Sequence, residues 1–162
     1  MVLDPSLSAG RYVDLIVYDM SSVKEGISGL FTTLDGAGPS PVLVLCERYT
    51  PFMIDVARHS GAVGLVAASD GRDIVVDAVR RVVAGAWHFP REGSQARSSE
   101  PLSRAQLRVL AALETGRLNK QIADDLGVTE ATVKAHLSAA FRVLNVSNRI
   151  QALLATRALM DA

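Results

Sequence analysis

The sequence predicts two unlike halves: an α/β module built on a parallel sheet of about three strands, followed by an all-α module. Three observations carry this. Up to residue 89, three short apolar runs alternate with amphipathic segments, the βαβα order that implies a parallel sheet with helical crossovers. Residues 90–101 are almost devoid of apolar side chains and read as a linker. Everything after Leu102 has helical periodicity with no strand signal. The expected division is 1–89, 90–101 and 102–162.

Each element has its own justification. Val13–Tyr18 is rich in β-branched and aromatic residues and reads as the first strand. Pro41–Cys46 is apolar on both faces, as a buried parallel strand should be, and Ala62–Ala67 is the third. After the first strand, Ser22-Val23-Lys24-Glu25 has capping-box spacing, although Gly26 and Gly29 weaken the helix it opens. After the second, Thr50-Pro51 supplies an N-cap and an N1 proline, and Gly61 ends the helix. After the third, Ile74, Val75, Ala78, Val79, Val82 and Val83 form one helical stripe that stops at Gly85.

In the second half, Ser103 and Gln106 form a capping box, with Leu107, Leu110 and Ala111 following at helical spacing until Gly116. Asn119–Leu126 makes a short helix with Ile122, Ala123 and Leu126 on one face. Gly127 permits a tight left-handed turn, and Thr129 is placed to cap the next helix. In that helix Val133, Leu137, Ala140 or Phe141, and Leu144 face inward. Lys134, Ser138 and Arg142 recur on the outside, flanked by Ala131 and Ala135. Small residues interrupted by long basic ones suit a helix that lies against base edges while a few side chains reach phosphates and purines.

Composition sets the outer bounds. The 162 residues carry 17 basic and 17 acidic side chains, so the formal net charge is zero. Divided at residue 96, the first part holds 8 basic and 11 acidic side chains and the second 9 basic and 6 acidic, nets of −3 and +3. The neutral total therefore does not exclude nucleic acid. No apolar run approaches the roughly 18–20 residues of a membrane span, and the first residues lack signal-peptide character, so a cytoplasmic protein is expected. Cys46 stands alone, and His59, His88 and His136 have no paired ligand spacing, so neither metal nor cofactor is expected.

The motifs Asn119-Lys120-Gln121-Ile122-Ala123, Leu126-Gly127-Val128-Thr129-Glu130-Ala131-Thr132-Val133-Lys134-Ala135-His136-Leu137 and Leu144-Asn145-Val146-Ser147-Asn148-Arg149 resemble the LuxR/NarL-type (FixJ-like) DNA-binding domain over roughly residues 101–160. The resemblance implies a four-helix helix-turn-helix module that binds double-stranded DNA as a homodimer at an inverted-repeat operator. It implies base or phosphate contact by Lys134, with Ala135 and Ser138 beside it. Thr132, His136, Asn119, Lys120 and Arg149 fall at positions for backbone contact or for seating the helix. A hydrogen-bonded structural role stays open for His136, capping alone for Thr129, and ordinary surface charge for Arg142 and Arg149. A fourth helix, about Arg149–Met160, offers Ile150, Leu153, Leu154 and Ala158, and the resemblance implies that it pairs protomers.

Residues 13–89 resemble the second half of a response-regulator receiver, with Asp19 at the phospho-acceptor position. Its chemistry is reduced. Only 18 residues precede Asp19, leaving no place for the acidic pair that would hold Mg²⁺. Cys46 stands at the Ser/Thr position, Ala68 at the Lys position and Leu65 at the aromatic switch. Asp19 is thus expected to be a vestigial carboxylate. Losing the first two receiver strands would leave the strand around Leu15–Tyr18 a bare edge, a liability unless a second copy or residues 1–12 cover it. The leading function is a sequence-specific, phosphorylation-independent transcription regulator. The alternative is an antagonist that pairs with a partner regulator without binding DNA specifically. An enzyme is the weakest class, since Cys46 and Asp19 have no histidine or metal constellation beside them.

Overall fold

The computed structural model describes residues 13–20, 26–90 and 101–161. The α/β half runs β1 (Ile16–Asp19), α1 (Gly26–Gly36), β2 (Val42–Cys46), α2 (Pro51–Ser60), β3 (Gly64–Ala67) and α3 (Arg72–Val83). The three strands form one all-parallel sheet in the order β1-β2-β3, with Ile16 opposite Val42 and Leu43 opposite Gly64. The first strand begins three residues later than the apolar run that marks it. Its parallel register against β2, closed by Ile16 N donating to Pro41 O at 2.9 Å, decides which residues pair. The capping box read at Ser22–Glu25 and most of the linker read at 90–101 lie outside the described residues.

Strand alternation sorts the side chains. Tyr18, Val42, Val44, Cys46, Leu65 and Ala67 pack with Ile27, Leu30 and Phe31 of α1 and Met53, Val56 and Ala57 of α2. Leu43 and Val66 meet Ala78 and Val82 of α3 in a separate cluster. Thr50 caps α2 by accepting from Met53 N at 3.0 Å, and Gly61 ends it with φ 106°. A short 3₁₀ turn, Ala68–Asp70, leads into α3.

The stripe read along α3 is only half used. Ala78 and Val82 are buried, but Ile74 is 48% and Val83 53% exposed. On this side of the sheet the outer strand β1 leaves Val17 47% exposed, and the ends of the α3 stripe are likewise only about half covered. The opposite edge is covered differently. After α3 the chain returns beside β3, where His88 N donates to Val63 O at 3.1 Å and Leu65 N donates to His88 O at 2.8 Å.

The helical half comprises α4 (Arg104–Glu114), α5 (Asn119–Leu126), α6 (Glu130–Val143) and α7 (Arg149–Asp161). Ser103 and Gln106 make the reciprocal capping box of α4, at 3.3 Å and 2.8 Å. Val109, Leu113, Ile122, Ala123, Val133, Leu137 and Ala152 close a core of their own. The other face of α4 enters the α/β half: Leu107, Leu110 and Ala111 share its core with Leu30, Phe31 and Met53. No described helix is long and apolar enough to cross a membrane.

Candidate nucleic-acid interface

The site is a helix-turn-helix built by local rules. Leu118 cannot cap α5 with its side chain, but Gln121 Oε1 reaches back to accept from Leu118 N at 2.8 Å. Gly127, with φ 64°, takes the left-handed conformation that closes α5, and Val128 N donates to Ala123 O at 3.0 Å. Thr129 then caps α6, its Oγ1 accepting from Thr132 N at 3.1 Å. The two threonine hydroxyls also bond each other at 2.8 Å, so Thr132 is engaged in the cap.

Burial of Val133 and Leu137 against α4 and α5 fixes the rotation of α6 about its axis. That rotation leaves Lys134, Ala135, Ser138 and Arg142 exposed together on the outer face. Lys134 Nζ lies 2.9 Å from Glu130 Oε1 one turn earlier, with both side chains well exposed. A solvated pair of this kind contributes a few tenths of a kcal/mol and is readily exchanged for another anion. Glu130 was not among the residues singled out from sequence; the i, i+4 acid–lysine spacing is the signal that finds it. His136 and Asn119 are half-buried at the margins of this face, and Lys120 is exposed.

Arg149 is placed differently from a phosphate ligand. Its Nη2 donates to Arg117 O at 2.8 Å and Leu113 O at 3.2 Å, so the guanidinium caps the C-terminus of α4 and ties α7 to it. Of the residues assigned to pairing, Ile150 and Leu154 are 69% and 63% exposed and, with exposed Ala158, recur every four residues along α7. Leu153 points elsewhere: it packs partly against the helical core. The turn between α6 and α7 requires Asn145 at φ 53°, a conformation asparagine tolerates better than most side chains.

At the carboxyl ends of the strands, Asp19 is half-buried beside buried Cys46. Burial, with the charges of Asp70 and Asp19 adding to it, pushes the Cys46 thiol up to about 12, which keeps it protonated and unreactive. Tyr49 donates to Asp70, and Ala67 N donates to Tyr49 Oη and to Asp70 Oδ2, each at 3.1 Å. Burial and the Asp70 carboxylate hold the Tyr49 phenol neutral. Ala68 opens the 3₁₀ turn. Among the described residues no cluster of three or more His, Cys, Asp or Glu side chains could hold a metal.

Comparison with known proteins places this architecture. Residues 100–156 match the family described as bacterial regulatory proteins, luxR family. A glycerol metabolism activator of Pseudomonas putida is 33% identical over 173 aligned residues, spanning 94% of this chain and 78% of the relative. The nitrate/nitrite response regulator protein NarP of Escherichia coli (strain K12) is 27% identical over 155, spanning 86% and 71%. Among solved structures, RcsB from Salmonella enterica serovar Typhimurium, bound to promoter rprA in the presence of phosphomimetic BeF3-, aligns over 90% of this chain and 73% of that one. Its TM-score is 0.53 at 18% identity, a likeness of fold.

Proposed function

Because the chain belongs to the LuxR family of bacterial regulatory proteins, as a transcription regulator of the LuxR/NarL type, we propose that it binds double-stranded DNA through the outer face of α6 as a homodimer paired along α7. The observation that carries this reading is the exposed stripe of Lys134, Ala135, Ser138 and Arg142, whose opposite side is locked into the core. Two alanine-sized steps let the helix axis approach base edges, while Lys134 and Arg142 supply length and charge. Asn119, Lys120, Thr132 and His136 flank the stripe as backbone contacts or seats. Arg149 acts indirectly, by fixing α7 to α4. Ile150, Leu154 and Ala158 form the pairing stripe, which places two α6 helices in successive major grooves of an inverted-repeat operator. Residues 1–89 and 102–162 are its two modules and 90–101 the linker, in a cytoplasmic protein.

The test is a salt-matched titration against an inverted-repeat site enriched from random duplex DNA. Lys134→Ala is expected to weaken specific binding by about 1–3 kcal/mol, the scale of one good base contact, with the cooperative dimer isotherm retained. Operator affinity equal to that of the parent protein would sink the assignment.

Regulation by Asp19 phosphorylation is not part of this reading, because Ala68 supplies no cation to a phosphoryl oxygen. Asp19→Asn is expected to leave operator affinity within about twofold, the range of substitutions that touch no critical contact. Beryllofluoride added to the parent protein is likewise expected to change nothing. A gain in affinity with beryllofluoride that Asp19→Asn abolishes would restore a working phosphosite.

A further inference from the structure

The outer stripe of α6 does not begin at Lys134. Stepping back one helical turn at a time from Arg142, through Ser138 and Lys134, reaches Glu130, the first residue of the helix and exposed like the other three. The reading face therefore opens with a carboxylate. Glu130 Oε1 lies 2.9 Å from Lys134 Nζ, so the lysine's charge is cancelled at the surface.

Capping does not account for this pair. Thr129 Oγ1 already serves Thr132 N, and a carboxylate in the first turn gains from the helix dipole wherever it points. An exposed ion pair also adds little to stability. What the pair provides is one anion and one cation about 5.4 Å apart along the face that meets base edges.

In a helix-turn-helix the N-terminal residues of the second helix enter the major groove. The phosphates repel an anion there, so it is accommodated only where a base edge offers it a donor. Cytosine offers its N4 amine with no acceptor of its own beside it, whereas guanine offers N7 and O6 as acceptors. Lys134 and Glu130 thus complement the two bases of a G·C pair, or of neighbouring pairs.

Resting on the DNA-binding reading above, we propose that Glu130 is a specificity-determining residue. Off the operator it holds Lys134 in a neutral pair; on the operator it releases the lysine to guanine and accepts a hydrogen bond from the N4 amine of cytosine. On a sequence without that cytosine the pair breaks and the carboxylate receives nothing in return, so Glu130 opposes binding there.

Asp125 of α5 supplies a control. It pairs with Arg117, both side chains being well exposed, and is a second anion of the same module that lies off the α6 stripe.

Random duplex DNA is enriched on the intact chain and the bound fraction sequenced, in parallel for the parent, Glu130→Gln, Glu130→Asp and Asp125→Asn at one salt concentration. The parent is expected to select a cytosine in each half-site, any other base there costing about tenfold in affinity. Glu130→Gln is expected to lose that preference and turn toward adenine, whose N6 and N7 match a glutamine amide. Its affinity for unselected duplex should rise severalfold, because Lys134 is no longer neutralised. Glu130→Asp keeps the first-turn charge but stops one methylene short. It should also lose the cytosine, which a role in helix stability alone would not produce. Asp125→Asn should retain it. Base preferences that are the same in the parent and Glu130→Gln overturn the assignment, even where binding strengthens on every sequence, and so does equal loss of the cytosine in Asp125→Asn. A parent that enriches no sequence overturns the DNA-binding reading itself, and the role of Glu130 with it.

Discussion

Leu107→Ala is expected to destabilise the protein by about 2–5 kcal/mol, the usual cost of truncating a fully buried leucine whose surroundings collapse only in part. Leu107 is 0% exposed, and its neighbours come from both halves. It projects from α4 into a core otherwise supplied by Leu30 and Phe31 of α1 and Met53 of α2, and α4 in turn carries the second core through Val109 and Leu113. The cavity therefore opens at the joint. Urea denaturation followed by far-ultraviolet circular dichroism should show a lower midpoint and a broadened transition, as the α/β half melts before the helical half. A loss below about 1 kcal/mol, with a single sharp transition, would mean that α4 contributes little to the stability of the α/β half.

Gly64→Ala is the second large effect, and its origin is close approach. A Cβ at position 64 would stand 2.6 Å from the backbone oxygen of His88 and 2.8 Å from Leu43 Cδ1. The leucine tip can move, but the carbonyl is held where it is because it accepts from Leu65 N at 2.8 Å. Relieving the clash breaks that bond or lifts the returning chain off β3. Overpacking of this kind costs about 1–3 kcal/mol. The melting temperature should fall by several degrees, and the 13–90 region should lose hydrogen-exchange protection first at residues 63–65. A variant as stable as its parent would mean that the segment around His88 adds nothing to the sheet.

Most of the helical half was legible from residue types alone. Its signals act within a turn: the Ser103–Gln106 box, Gly127 in the left-handed region and the Thr129 cap all appear where the pattern puts them. Such devices need only neighbours in sequence, so no knowledge of the fold is required to find them. The α/β half was less exact. The apolar run from Val13 marks a strand, yet pairing with β2 sets its bounds at Ile16–Asp19. The α3 stripe promises six buried side chains, but the sheet beneath it is too narrow to cover Ile74 and Val83.

Individual side chains were harder still. Arg149 and Leu153 look like members of an exposed face, because helical spacing gives only a relative angle. Their contacts with α4 and the helical core come from how α7 crosses the bundle. Glu114, whose Oε2 accepts from Ser28 N of α1 across the joint between the halves, gave no signal at all. A glutamate closing a helix sits at the unfavourable end of the dipole, and by itself it reads as a solvated charge.

What the sequence by itself determined is the order of elements, the parallel α/β class of the first half, and the helix-turn-helix of the second with its Lys134, Ser138 and Arg142 stripe. These follow from periodicity and capping, which are properties of short segments. Only the tertiary structure decided that α4 serves two cores, that Arg149 is a clamp, and that Glu114 caps a helix 86 residues away in the chain. Those contacts depend on where whole elements dock. Docking is set by the burial of apolar faces far apart in sequence, and no local pattern records which face meets which.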